Sequence, residues 1–286
     1  MGPGKNGFTG DRRRTIRIKR SALLRNKLDD IDRPAIKIAE SRDELEQAFS
    51  LVYQEYQKLG YITEPDPSQM SISIYNFLPE TAVFIFKSYL TVISTLTQVF
   101  DSKLFGLPMD VLYRDELAPL RDKDRKLVEI VALATTRDRR WRNVFMYLTR
   151  AMFWYALYQQ VNDLCITVNP KHVEFYKTIF LFEDLGPEKH YPKVNAPAVA
   201  LRLNLDDIHG KLKQAYSGLD FDCQLDSYYE RMATSDRSSA LGEPQLPARK
   251  KVMEPDTAKY FLGKANVLDS ATSQQAEYLR SVYPGV

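Results

Sequence analysis

Cysteine, histidine and glycine are all scarce in this chain of 286 residues, and each scarcity removes a class of chemistry. Two cysteines, Cys165 and Cys223, cannot build a disulfide framework and lack metal-ligand spacing. Three scattered histidines, His172, His190 and His209, exclude a His-rich zinc or iron centre and weaken any Ser-His-Asp reading. No metal is expected. Four of the 12 glycines lie in the first ten residues, and none lies between Gly106 and Gly186. A glycine-dependent phosphate cradle, Walker A or dinucleotide fingerprint alike, is thus absent from the middle of the chain. No apolar run reaches the ~18 residues that suggest a membrane-spanning helix. The basic N-terminus lacks the apolar core of a secretory signal. A soluble, cytoplasmic protein is the expectation.

Charge is present but unevenly placed. Residues 1–27 hold nine basic side chains and one acidic, a segment of +8, which leaves −5 for the rest of a chain whose total is +3. A basic arm on a mildly acidic body can meet nucleic acid, an anionic membrane or an acidic protein, or can be a solvated tail. Beyond Phe8 no aromatic residue interleaves with these charges, so stacking on single-stranded nucleic acid is not supported.

The patterning is that of an α/β protein. Ile36–Ala39 is a short apolar run, followed by the capping-box pattern Ser41-Arg42-Asp43-Glu44 and a helix that stops at Gly60. Two β-rich runs, Thr81–Lys87 and Tyr89–Phe100, read as paired strands, and Val111–Lys123 as a charged helix. Leu127–Ala134 is apolar except for Glu129 and reads as a strand buried on both faces. A basic connection, Thr135–Arg142, leads into a helix to about Val161 that is apolar nearly all round and so must be covered on more than one side. Leu164–Val168 is a strand, His172–Phe180 a helix and Ala198–Leu205 a strand. These elements place an α/β domain at residues 35–208, after a basic arm at 1–34 and before a helical extension at 209–286. That extension carries a linker at Ser235–Pro247 and a last helix near Ala271–Val282.

The order of elements resembles the GCN5-related N-acetyltransferase fold, a mixed central sheet flanked by helices. The local wording goes further. Gly106-Leu107-Pro108-Met109-Asp110, Glu129-Ile130-Val131-Ala132-Leu133-Ala134, Val168-Asn169-Pro170-Lys171-His172 with Phe175-Tyr176, and Tyr191-Pro192 before Asn195-Ala196-Pro197-Ala198-Val199 are similar to motifs of the long-chain N-acyl amino acid synthases. Those enzymes are relatives of the acyl-homoserine lactone synthases. The match covers roughly residues 36–205 in consistent order, and Tyr260-Phe261 and Gln274–Pro284 look like the tail of such proteins.

The resemblance implies transfer of a fatty acyl group from acyl carrier protein to the amine of an amino acid, with no permanently bound cofactor. The donor is an acyl-phosphopantetheine thioester, on carrier protein or on coenzyme A. A strand can pair with the arm's amides and a helix N-terminus can hold its phosphate. Ala132, Leu133 and Ala134 are the expected strand contacts. Arg137, Arg139, Arg140 and Arg142 stand where acetyltransferases carry glycines, and side-chain phosphate binding there favours a carrier-protein donor.

Glu129, the one ionisable residue in an apolar run, matches the family's catalytic base; the structural alternative is an ion pair with Arg125 or Arg202. Tyr176 matches the tyrosine that protonates the leaving thiolate, with plain core packing as its alternative. Phe145 and Phe153, on the two-sided helix, and Asn169 are the expected substrate-binding residues. Leu96-Thr97 and Ala132 stand where the lactone-synthase branch carries arginines, which argues for a free amino acid as acceptor. The expected partners are acyl carrier protein, the amino acid and a peripheral membrane contact, with no nucleic acid. Two other readings stay open: a coenzyme A-dependent N-acetyltransferase, and a non-enzymatic nucleic-acid or membrane-surface binder using the basic arm.

Overall fold

The computed structural model describes residue 13 and residues 31–62, 64–136, 144–220, 223–230 and 253–285. A seven-stranded sheet runs through these residues in the order β1-β2-β3-β4-β5-β7-β6. The strands are β1 (Pro34–Ile38), β2 (Ala82–Ser88), β3 (Thr91–Phe100), β4 (Leu127–Thr135), β5 (Asp163–Val168), β6 (Glu183–Tyr191) and β7 (Ala196–Asn204). All neighbours are antiparallel except β4 and β5, which are parallel and joined by a helical crossover.

Helices cover both faces. On one lie α3 (Val144–Tyr158), α4 (Pro170–Phe180), α5 (Ile208–Tyr216) and α6 (Leu225–Glu230), which share a core with Phe84, Phe86, Val128 and Leu164. On the other lie α1 (Arg42–Lys58), α2 (Asp110–Arg121), α7 (Pro255–Leu262) and α8 (Ser273–Val282). Helix α1 starts as its sequence predicts. Ser41 Oγ accepts from Glu44 N–H, and the Glu44 carboxylate reaches back to Ser41 N–H. The all-round apolar surface of α3 is explained by burial against the sheet on one side and Tyr228 and Tyr229 of α6 on another. Helix α7 packs on α1, where Phe261 meets Phe49 edge-on at 5.2 Å, and Tyr283, just past α8, donates its hydroxyl to Phe77 O at 2.9 Å.

Strand β6 is a correction to the sequence reading, which has one strand where the β6–β7 hairpin has two. Its sequence, EDLGPEKHY, is polar on both faces and contains Gly186 and Pro187. It is the sheet's edge, where a strand needs no apolar face and tolerates proline. Tyr113 ties it down, its hydroxyl donating to Ala198 O at 2.8 Å and lying 3.0 Å from Pro187 O. The linker reading of Ser235–Pro247 lies outside the described residues. Of the basic arm, Arg13 donates to Ala215 O of α5 at 2.8 Å.

Two features of β4 position everything that follows. Its pairing with β5 runs from Leu127↔Asp163 to Ile130↔Ile166 and then stops, while both strands continue. At the same place the β3–β4 register slips, one extra residue of β4 being fitted between Val131↔Thr97 and Ala134↔Thr95. Ala132 absorbs it with φ +54°, a left-handed conformation that costs a non-glycine residue about 1 kcal/mol. The sheet therefore splits between β4 and β5.

The base of the split is pinned by Asp163, fully buried at the start of β5, whose carboxylate takes the Nε–H groups of Arg125 and Arg202. Losing that acceptor removes the carboxylate that holds Arg202 and one of the two that hold Arg125, the other being Asp206. Asp163→Ala should lower unfolding free energy by about 3 kcal/mol, and a urea midpoint equal to wild type would show the pairs to be dispensable.

Candidate active site

The loop before α2 is built around Asp110. Its carboxylate accepts from Leu107 N–H at 3.0 Å and from both terminal nitrogens of Arg121 at 2.8 Å. Arg121 in turn holds Asp101 at the end of β3. Gly106, at φ +62°, lies so close beneath Asp110 that a Cβ there would sit 2.0 Å from Oδ2. Glycine is required at that position by both the backbone and the packing. The loop so fixed aims the Met109 N–H at Glu129, whose Oε2 accepts it at 2.7 Å. The motif Gly106–Asp110 thus exists to present one backbone donor.

Glu129 is 3% exposed. Its remaining contact is Thr167 Oγ1 of β5, at 3.5 Å from Oε1. Arg125 and Arg202, the cations that could have neutralised it, are both spent on Asp163. Burial pushes the Glu129 pKa up from its ordinary 4.5 to about 8. The Met109 N–H, Thr167 and Lys193 oppose this shift and Asp110 adds to it. Lys193 stands on the short 3-10 turn Pro192–Val194 between β6 and β7. Among the described residues its ammonium makes no hydrogen bond or ion pair; it is within the field of Glu129, and burial holds its pKa below the usual lysine value. Tyrosines complete the surroundings. Tyr56 of α1 and Tyr191 of β6 are both pushed up to about 12 by burial, and both feel the charge of Glu129. Tyr75 is raised as well and donates to Phe105 O at 3.3 Å.

The split opens into an apolar cavity of about 120 Å³, room for about four groups the size of a water. Ile130, Val131, Ala132 and Leu133 of β4 line it, with Phe145, Met152 and Phe153 of α3, and Thr167 and Tyr176. Five residues singled out in the sequence therefore meet around one space: Ala132, Leu133, Phe145, Phe153 and Tyr176. Burial pushes the Tyr176 hydroxyl up to about 12. Ala134, two residues further along β4, is buried against the core beneath α1. Asn169 caps α4, its Oδ1 accepting from Lys171 N–H at 3.2 Å, and does not line the cavity. Arg137, Arg139, Arg140 and Arg142 lie outside the described residues.

Sequence reasoning missed Tyr56, Tyr75, Thr167, Tyr191 and Lys193. Tyr191 and Lys193 fall within or between the quoted motifs, so position alone could have flagged them; Tyr56 reads only as one apolar position of an amphipathic helix. Cys165 pairs with Glu129 across β4 and β5, and burial together with Glu129 pushes its thiol far up, which removes it as a thiolate nucleophile. Among the described residues no group of three His, Cys, Asp or Glu side chains is placed to hold a metal ion. No described helix is long and apolar enough to cross a membrane.

A parted β4–β5 pair opening on an apolar cavity, beside a buried carboxylate, defines an acyltransferase of the GCN5-related N-acetyltransferase-like class. The family model of the N-acyl amino acid synthase FeeM matches residues 47–204, more than half of the chain, and the chain belongs to that family. The solved structure of FeeM, an N-acyl amino acid synthase from uncultured soil microbes, is 30% identical with a TM-score of 0.57. It covers 64% of this chain and 97% of that one. BjaI, a coenzyme A-dependent acyl-homoserine lactone synthase solved with MTA, shares the fold at 15% identity and a TM-score of 0.53, over 80% of this chain and 99% of its own. No curated protein matches the chain significantly.

The raised pKa of Glu129 has a consequence for stability. Between about pH 5 and pH 8 the folded chain keeps a proton that the unfolded chain has released. Stability therefore falls as pH rises through that window and levels off above it. Glu129→Gln cannot carry the charge and should lack this slope. Urea unfolding at pH 5 and pH 8.5 should show wild type losing about 2–4 kcal/mol more than the variant; parallel losses would mean the carboxylate is not buried as argued.

Proposed function

We propose that this synthase transfers a long-chain acyl group from the phosphopantetheine thioester of acyl carrier protein to the amine of a free amino acid. The observation that carries the reading is a buried carboxylate, unpaired with any cation among the described residues, at the split that opens into an apolar cavity. Beyond Ile130 the β5-facing edge of β4 is unpaired, and it offers peptide groups to the amides of the pantetheine arm. The thioester then lies in the split with its acyl chain in the cavity. Arg137, Arg139, Arg140 and Arg142 bind the arm's phosphate, and the absence of glycine from that stretch of sequence is the reason for preferring carrier protein to coenzyme A.

The acceptor approaches from the α2 face, where Glu129, Lys193 and the tyrosines converge. Lys193 holds the amino acid's carboxylate by a charge-assisted bond. Glu129, with a pKa of about 8, takes a proton from the ammonium, whose own pKa is within about two units of it. The freed amine attacks the thioester carbonyl, the C–S bond breaks, and the second proton that the nitrogen sheds on becoming an amide passes to the departing thiolate, so that amide and free thiol are released. Tyr176, with a pKa of about 12, donates a hydrogen bond to the thiolate and keeps its proton, since a thiol titrates near 8.5.

The decisive measurement is thiol release from acyl carrier proteins loaded with C8–C18 chains, tested against each amino acid, with the products read by mass spectrometry. Thiol should appear only when both substrates are present, and no product across the panel would refute the reading. Acyl-coenzyme A in parallel tests the donor: an equal or higher kcat/KM with it would replace carrier protein while leaving acyl transfer intact.

Glu129→Gln should fold normally and lose about 10²–10⁴-fold in kcat. Wild-type kcat/KM should rise with pH and level off above about pH 8. Unchanged turnover in the variant would remove Glu129 from the mechanism. Lys193→Ala should raise KM for the amino acid about 10–100-fold and leave KM for the acyl donor unchanged; the reverse pattern would assign Lys193 to the donor.

A further inference from the structure

One wall of the cavity comes from beyond the family match. That match ends at residue 204, whereas Tyr229, which lines the cavity, belongs to α6. Helix α6 is firmly seated on α3. The Trp154 indole N–H donates to Tyr229 O at 2.8 Å, the Arg150 guanidinium lies 4.6 Å over the Tyr228 ring, and Leu225 is fully buried. The Tyr229 ring itself is 3% exposed and stacks on Phe153 with centroids 4.6 Å apart.

The position along α3 matters. Phe145, in the first turn, packs on Phe175 and Phe180 of α4 at 6.3 and 6.0 Å. Phe153 faces Tyr229 and, at 6.3 Å, His209 of α5. Those two phenylalanines are eight residues apart, about 12 Å of helix rise. Helix α3 runs back from the open end of the split toward the paired half of β4 and β5, where Leu164, another lining residue, sits. An apolar chain entering at the split therefore meets Tyr229 at the opposite end. The ring cannot swing aside cheaply, because its backbone is bonded to Trp154 and its face is packed on Phe153.

We infer that Tyr229 is the end wall that sets the length of the acyl chain, an inference that rests on the reading of the cavity as the acyl site. A segment outside the family match thereby supplies a specificity-determining residue. Substitution of the side chain leaves the Trp154 bond in place, since that bond is to the backbone carbonyl.

The test is the chain-length profile of kcat/KM over C8–C18 acyl carrier proteins for wild type, Tyr229→Ala, Tyr229→Leu and Tyr229→Trp. Tyr229→Ala and Tyr229→Leu should shift the optimum to longer chains, raising the rate with a donor two carbons beyond the wild-type optimum about fifteenfold relative to that optimum, at about fourfold per buried methylene. Tyr229→Trp should shift it to shorter chains, so the inference does not depend on the alanine variant folding. Active variants with the wild-type profile would overturn it. Wild type that makes no N-acyl product from any donor would instead refute the acyl-transfer reading, so the two failures are distinguishable.

Discussion

A carboxylate in the interior of a β-sheet is unfavourable by several kcal/mol unless something compensates it, and Glu129 is held there by one backbone N–H and one threonine hydroxyl. Much of the local architecture serves that arrangement. Asp110 and Arg121 rigidify the loop that delivers Met109, and Gly106 makes room for Asp110. The two arginines nearest in the sheet are consumed by Asp163, so the glutamate keeps its raised pKa instead of losing it to an ion pair. A residue so placed is expensive for stability, and strongly perturbed carboxylates of this kind concentrate at functional sites.

The second constraint is geometric. A parallel pair that parts midway leaves peptide groups unpaired, and the bulge at Ala132 turns β4 away from β5 at that point. The parting connects the two faces of the sheet. On the α3 face the lining is aliphatic and aromatic, fit for a hydrocarbon chain. On the α2 face stand a carboxylate, an ammonium and several tyrosine hydroxyls, fit for a zwitterion. One opening thus joins two environments of opposite polarity, which is what condensing a lipid with an amino acid demands.

Much of this was legible before any coordinates. The capping box at Ser41, the buried strand with its single glutamate and the helix apolar on all sides each has a local signature, because each follows from periodicity or from one misplaced charge. Strand β6 had none: an edge strand rich in charge and broken by Gly186 and Pro187 carries no apolar alternation. The pairing of Arg125 and Arg202 with Asp163 in place of Glu129 could not be read either. Asp163 and Arg202 lie on neighbouring strands and Arg125 just before β4, and register decides which side chains share a face.

The sequence by itself excluded a disulfide framework, a His-rich metal centre and a mid-chain glycine cradle, carried motifs resembling those of the N-acyl amino acid synthases, and left Glu129 alone in an apolar run as the candidate base. Those are properties of composition and short-range pattern, which survive without a fold. Only the tertiary structure decided that Tyr56, Thr167, Tyr191 and Lys193 surround that glutamate and that Tyr229, a hundred residues further along the chain, lines the cavity beside it. Such neighbours are set by strand order and helix docking, and nothing in the spacing of residues along a chain encodes a distance across it.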